Sequence, residues 1–528
     1  MARHARRAEP AAAPPAPRAP GYARGRTVVL ATVFLTGAGV LVLEIAGSRV
    51  VAPLYGSGLY SWSALISVTL AALSLGYWAG GRAADRRPDP ALFHGGILGA
   101  GLLVLAIPSV AGFVLPLTEP LDPRLGVLLA ATLLFFPALA VLGGVTPFAI
   151  RLTRPAEGSV GEASGLVFAV STIGSLLAAL ATGFVLIPNL GVRSILALTG
   201  ASLVLTAAAG FLASGRGGRA AAVALLAGLG LVAGRGPGSS KAPGAPRILA
   251  RIPSFFGYLR VVETRVFRLL TVDGIGQNYV RLVPGMKSSA YIDFIGALPR
   301  LRDSSPPHPS TLLIGLGAGE LVRHLQASGA NLTVVEIDPR VEQAARRWFG
   351  LDLPRDRIHI EDGRAFLERD TATYDLVVMD AFLGEDVPGH LYTQEALAAV
   401  RRRLSPSGLL AMNYTSFPDG RDARSLVRTL RAAFPHVRTY NDGSRSTELA
   451  SNVFLASAQP FALGGVDAAA DSSAGPFLAN EARLPEDGAL LLTDDYNPIN
   501  VFRLGANRRW RQAMIRMIGN DRAYWTDF

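Results

Sequence analysis

The chain has 528 residues, 50% of them hydrophobic and only 17% charged, with a formal net charge of +11 and no cysteine. That length allows two or three domains, and the apolar excess excludes an ordinary all-soluble protein. The lack of cysteine excludes disulfides and thiolate metal sites, and a positive charge carried almost wholly by arginine fits the charge bias of a membrane protein rather than nucleic-acid binding.

In chain order, residues 1–26 are a basic, Ala/Pro-rich tail with Arg3, Arg6, Arg7, Arg18, Arg24 and Arg26, expected to be disordered. No small-residue cleavage site precedes the apolar run that follows, so an uncleaved start is expected. Thr27–Gly47, Leu59–Gly80, Leu92–Leu115, Leu125–Ile150, Gly165–Ile187 and Ser194–Ala213 are each long and apolar enough to span a bilayer. Arg82, Arg86 and Arg87 follow the second span, Arg151 and Arg154 the fourth, and Arg216 and Arg219 the sixth. With the tail, these fall on one face, which the positive-inside rule makes cytoplasmic; the loops Arg49–Gly58, Pro116–Arg124 and Pro188–Arg193 are poorer in arginine. Ala220–Ala233 is apolar but short. As a seventh span it would put everything after it outside; as an interfacial or re-entrant helix it leaves six spans and a transmembrane domain over 27–234. Glu44 lies within the first span, where an ionisable group needs a partner such as Arg49 or Arg82, or a cavity.

Residues 235–247 (RGPGSSKAPGAPR) form a Gly/Pro/Ser linker and a domain boundary. A small β unit over 248–300 follows, with strands at Tyr258–Val262, Val266–Val272 and Gln277–Leu282, a hairpin signal at Asp273-Gly274, and a helix at Tyr291–Leu301. From 301 to 528 strand and helix patterns alternate, which predicts a doubly wound, mostly parallel sheet with its ligands beyond the carboxyl ends of the strands.

The segment Thr311–Asp338, TLLIGLGAGELVRHLQASGANLTVVEID, carries the clearest chemistry. A short β-prone run ends in Gly315, Gly317 and Gly319, a helical pattern follows, and a second β run closes on Glu336. Glycines let the backbone turn tightly under a ligand, and a carboxylate at the next strand tip suits a ribose diol. A dinucleotide site prefers a further glycine where Glu320 stands, and a carboxylate beside a pyrophosphate is unfavourable. An S-adenosylmethionine (AdoMet) type of nucleoside therefore fits better than NAD. The remaining strand tips offer Asp362 and Asp380. The expected fold is an N-terminal α-helical transmembrane bundle plus a C-terminal α/β Rossmann-like, AdoMet-methyltransferase-type domain preceded by the small β unit.

The segments FFGYLRVVE, LLTVDGIGQ, LIGLGAGELVRHL, VVEIDPRV, IEDGRAFL and YDLVVMDAF occur in this order. Through them the half from about Tyr258 to Arg503 resembles spermidine synthase and its aminopropyltransferase relatives. With its N-terminal spans and the late LTDDYNPIN, the whole chain resembles the bacterial membrane-fused spermidine synthase-like proteins. The resemblance implies that Glu336 holds the ribose hydroxyls, that Asp362 accepts from the adenine amino group with Gly363 beside it, and that Gly315, Gly317 and Gly319 turn under the methionine-like tail. It implies that Gln277 helps hold the nucleoside and that Asp380 orients and deprotonates the attacking amine. Tyr291, in Tyr291-Ile292-Asp293, stands where the family has Tyr-His-Glu. Asp495 and Tyr496, beside Asp494, read either as an acidic rim for a cationic amine or as a solvated turn.

Two departures stand out. Ala318 occupies the place of the family's aspartate that binds the ammonium of decarboxylated AdoMet. Leu383 occupies the place of its second acid, which binds the diamine, with Glu385 and Asp386 nearby but out of register. The nucleoside half of the site is kept and the polyamine half is altered. The resemblance thus implies decarboxylated AdoMet or AdoMet as co-substrate, an amine or polyamine acceptor, no metal and a homo-oligomer, while the apolar spans, the arginine bias and the glycine motif predict a cell-membrane location with the N-terminus and the C-terminal domain both cytoplasmic. An AdoMet-dependent methyltransferase, and a transport or sensing protein without catalysis, are the alternative readings.

Overall fold

The structure, a computed structural model, describes residues 20–56, 58–153, 160–214, 246–283, 289–301, 306–445, 447–463 and 474–518. Six apolar helices come first: α1 (Pro20–Tyr55), α2 (Leu59–Arg86), α3 (Pro90–Thr118), α4 (Pro123–Thr153), α5 (Val160–Ala181) and α6 (Val192–Ala213). Counting the π turn Thr182–Leu186 and the short turn Ile187–Asn189 with α5, all six are long and apolar enough to cross a membrane. The 36 residues of α1 reach about 54 Å at 1.5 Å per residue, well beyond a hydrocarbon core of about 30 Å. It begins at Pro20, so residues 20–26 are helical rather than part of a disordered tail; residues 1–19 lie outside the described residues.

Lipid tails give no hydrophobic push between helices, so close packing must hold them together. The α2–α4 seam achieves it with glycine: a Cβ on Gly76 would overlap the Ala140 carbonyl oxygen, and one on Gly80 would overlap Gly144. Leu59, Ile66, Leu70 and Trp78 of α2 point outward, as do Phe168, Leu177 and Phe184 of the fifth segment. Such an apolar exterior suits hydrocarbon. Arg49 pairs with Asp273 at 3.2 Å rather than with Glu44, and Glu44 makes no ion pair among the described residues.

The soluble half opens with an antiparallel sheet in the order β1 (Arg247–Pro253), β2 (Tyr258–Glu263), β3 (Phe267–Val272), β4 (Ile275–Arg281). Strand β1 begins where the sequence reads as linker, and no strand was expected there. Helix α7 (Ala290–Leu301) leads into an eight-stranded sheet. Its strands are β5 (Ser310–Ile314), β6 (Asn331–Glu336), β7 (Ile358–Ile360), β8 (Tyr374–Met379), β9 (Leu404–Ser416), β10 (His436–Asn441), β11 (Ala450–Ser457) and β12 (Glu481–Ala482), in the spatial order β12-β10-β11-β9-β8-β5-β6-β7. The segment β7-β6-β5-β8-β9 is parallel. The β9–β11, β11–β10 and β10–β12 pairs are antiparallel, and the loop between β10 and β11 is too short for a crossover. Helices α8 (Glu320–Ala327), α9 (Pro339–Phe349), α10 (Gly363–Arg369), α11 (Gln394–Arg403) and α12 (Arg421–Ala433) cover the sheet, and α13 (Leu504–Ile518) lies late in the chain. The strand order runs outward from β5 to β7 on one side and resumes with β8 on the other, so β5/β8 is the switch point and the ligand crevice lies at their carboxyl ends.

The soluble half packs against one end of the bundle. Arg49 Nη2 donates to the Phe255 carbonyl at 2.9 Å, Arg511 Nη1 to the Ala52 carbonyl at 2.7 Å, and Arg508 Nη2 to the Leu121 carbonyl at 3.2 Å. These contacts lie at the C-terminal end of α1 and the α3–α4 connection, the arginine-poor face. Arg26, Pro90, Leu152 and Ala213 meet at the other end. The N-terminal end of α1 and the soluble half therefore lie on opposite faces, which corrects the expectation that both share the cytoplasmic side. Ala220–Ala233 falls outside the described residues.

Candidate active site

The crevice at the β5/β8 tips holds a cavity of about 110 Å³. Gln277, Gly315, Gly317, Glu336, Asp362, Gly363 and Asp380 all line it. Sheet register brings them together. Ile314 pairs with Met379 and with Val335, so Gly315, Asp380 and Glu336 are the next residues on three adjacent strands. Gly315 has φ +100°, and a Cβ there would overlap the Asp380 carbonyl. Only glycine lets β5 turn away at this point. Gly319, with φ +78°, is the N-cap of α8 and does not line the cavity.

Glu336 is 8% exposed. Its Oε2 accepts from the Leu316 N–H at 3.0 Å and its Oε1 from the Asp338 N–H at 2.9 Å. Burial pushes its carboxyl up to about 7, although those two N–H groups act in the opposite direction. Each oxygen keeps a lone pair, which suits a pair of hydroxyl donors. Asp362 is the N-cap of α10: its Oδ1 accepts from Arg364 N at 2.9 Å and Ala365 N at 3.0 Å, and its Oδ2 from His390 Nε2 at 2.7 Å. Burial pushes this carboxyl up, but the Ala365 N–H and His390 more than offset it, so the net direction is down.

Asp380 sits at the tip of β8. Asn413 Nδ2 donates to its Oδ1 at 2.8 Å, and Tyr291 Oη to its Oδ2 at 3.4 Å. Burial pushes its carboxyl up to about 6, against the pull of Asn413 and Tyr291. A carboxylate so placed is half-desolvated, oriented on both oxygens and basic enough to take a proton near neutral pH. The Tyr291 phenol is pushed well up by burial and by Asp380, so it stays a donor. Gln277 Nε2 donates to the Gly384 carbonyl at 2.9 Å and so ties β4 to the loop after Asp380.

Asp495 and Tyr496 are exposed and do not line the cavity. Neighbouring Asp494 accepts from Thr393 Oγ1 at 2.7 Å and pairs with Arg364 at 3.3 Å. Three polar residues escaped the sequence reading. Asn413 lies within β9 and comes beside Asp380 because Met379 pairs with Met412, a register that no local pattern shows. Asn278 follows Gln277 and packs against Gly317. His390 comes from the single 3₁₀ turn Gly389–Leu391.

No protein-family model matches the chain. It is 30% identical over 215 residues to a polyamine aminopropyltransferase of Vibrio vulnificus, a match covering 38% of this chain and 71% of that protein. It is 28% identical over 493 residues to a polyamine aminopropyltransferase of Mycobacterium tuberculosis, covering 83% of this chain and 89% of the relative, a span that reaches into the membrane half. An N-terminal histidine N-methyltransferase of Emericella nidulans is 30% identical over 219 residues, but the chain spans only 39% of its length. Among solved structures, a probable spermidine synthase from Corynebacterium glutamicum matches 41% of this chain and 82% of its own, at 22% identity and a TM-score of 0.36.

Proposed function

We propose that this chain, which belongs to the polyamine aminopropyltransferase family, is a membrane-embedded transferase that moves an aminopropyl group from decarboxylated AdoMet to an amine. The observation that carries the reading is Asp380, held by Asn413 and Tyr291 at the rim of a cavity that also contains the glycine turn and Glu336. In this reading Glu336 takes the ribose hydroxyls, and Asp362 and Gly363 border the adenine. The glycine turn lets the sulfonium-bearing tail lie close to the backbone. The acceptor nitrogen gives its proton to Asp380, its lone pair forms the new N–C bond, and the C–S bond breaks with its electrons going to sulfur, which leaves neutral methylthioadenosine. Proximity and a partly desolvated base are the protein's contribution to the rate.

One observation favours methyl transfer instead. Ala318 is fully buried and offers the tail no carboxylate, and Glu320 is taken up by Arg323. The amino acid part of intact AdoMet would meet less repulsion there than in a turn with an aspartate. Calorimetric binding of both nucleosides to the full chain separates the two. Tighter binding of decarboxylated AdoMet supports aminopropyl transfer, and tighter binding of AdoMet overturns it in favour of methyl transfer.

The family residues Tyr291, Asp495 and Tyr496 are placed differently in this reading. Tyr291 orients the base, and Asp495 and Tyr496 lie on the approach to the site. The soluble half belongs in the cytoplasm, where AdoMet-type nucleosides are found. That sets the arginine-rich helix ends on the outer face, against the positive-inside count.

A further inference from the structure

The loop after Asp380 has two faces. Phe382 and Leu383 line the nucleoside cavity, whereas Glu385 and Asp386 turn the other way and line a second cavity, of about 250 Å³, between the membrane bundle and the soluble half. The end of α1, the start of α2, the α3–α4 connection and α13 supply its walls. Leu54, Leu59, Leu121 and Leu504 make much of that wall aliphatic.

The polar lining of this cavity includes three carboxylates, Glu119, Glu385 and Asp386, and the amides of Asn500, Asn507 and Gln512. Its two arginines are already engaged: Arg511 with Glu385 and the Ala52 and Pro53 carbonyls, Arg508 with the Pro120 and Leu121 carbonyls. Asp386 accepts from Asn507 Nδ2 at 2.7 Å through Oδ1. Glu119 makes no ion pair or side-chain hydrogen bond among the described residues. Asn507 lines the cavity, is 6% exposed, and its Oδ1 has no hydrogen-bond partner among the described residues. A buried amide oxygen without a donor is costly, so this side chain waits for a ligand that supplies one.

Two carboxylates and an amide oxygen ask for N–H donors and positive charge. The aliphatic wall asks for a hydrocarbon chain beside them. No cluster of metal-ligating side chains occurs among the described residues, which separates this cavity from a metal-ion site. We propose that the cavity between the two halves binds an alkylammonium through Glu119, Asp386 and Asn507. The occupant is either a free aliphatic amine or the ammonium of an aminophospholipid headgroup, since α1 and the α3–α4 connection bring the cavity to the membrane boundary. Asp386 belongs to the same loop as Leu383, and Phe382 of that loop stacks edge-on against Trp510 of α13 at 5.5 Å. An occupant would therefore brace the segment that leaves Asp380.

The test uses the full chain in nanodiscs of phosphatidylcholine, whose headgroup has no N–H, and equilibrium dialysis with radiolabelled 1,4-diaminobutane. No nucleoside is present, so the outcome is separate from the transferase reading, which Asp380→Asn tests by turnover. The expected result is that Glu119→Gln and Asn507→Leu each weaken diamine binding about tenfold, the loss of one charge-assisted contact. Glu119→Gln lies on a solvent-facing connection and keeps side-chain shape, so it reports even if Asn507→Leu misfolds. Adding phosphatidylethanolamine to the discs then tells the sources apart. Competition that Glu119→Gln removes assigns the site to the headgroup, and unaltered diamine binding assigns it to the free amine. No diamine binding in phosphatidylcholine discs, or binding that Glu119→Gln leaves unchanged, overturns the proposal.

Discussion

Asn413→Ala tests the proposed base without touching it. Asn413 Nδ2 reaches Asp380 Oδ1 at 2.8 Å and stabilises the ionised carboxylate. A hydrogen bond to a charged group is worth about 1.5–3 kcal/mol net, and about 1.4 kcal/mol corresponds to tenfold in acid dissociation. Removing it should raise Asp380, already near 6, by about 1–2 on the pH scale. The base must be ionised to accept a proton, so kcat should fall as pH drops through this value. The wild-type acid limb is expected near 6 and the variant limb at about 7–8, with the plateau above it nearly recovered. The assay is the initial rate of aminopropyl transfer at saturating substrates across pH. Because the same amine is used throughout, its own titration cancels in the comparison. A variant limb that coincides with the wild type, or moves to lower pH, refutes Asp380 as the base. A flat rate loss at every pH would point to a purely structural role for Asn413.

Asp380→Asn should lower turnover by about 10²–10⁴-fold while calorimetry still detects nucleoside binding; normal turnover removes the catalytic assignment. The same variant should stabilise the fold by about 1–3 kcal/mol at pH 8, because the folded carboxyl near 6 lies above its ordinary 3.8 and holding it ionised costs free energy. That gain should shrink as pH falls through 6 and vanish below about 4, as denaturant melts at several pH values would show. Gly315→Ala should destabilise by roughly 2–4 kcal/mol and abolish nucleoside binding, from its φ of +100° and the overlap with the Asp380 carbonyl; a stable, binding variant would contradict the turn geometry. Since the chain has no cysteine, single replacements report topology without background. In intact cells an impermeant maleimide should label Pro88→Cys and spare Asp487→Cys. Equal labelling of both would contradict their placement on opposite faces, and the reverse pattern would put the catalytic half outside.

What the sequence by itself determined is whatever depends on local pattern. Six apolar stretches became α1 to α6, because about 20 apolar residues in lipid have little choice but a helix. The glycines after Leu313 and the acids at the ends of VVE and VVMD marked strand tips, because period and turn chemistry are local. Tertiary structure decided the rest. That Asn413 lies beside Asp380 depends on the β8–β9 register, and that His390 reaches Asp362 depends on where the short 3₁₀ turn Gly389–Leu391 is laid. The face on which the soluble half docks was the clearest departure. Arginine counts near the spans describe the helix ends, whereas the docking face is fixed by contacts such as Arg49 with Asp273 and Arg511 with the end of α1, between residues more than two hundred positions apart. The cavity around Asn507 has the same origin: its walls come from five separate stretches of chain, and only folding brings their unpaired acceptors to one place.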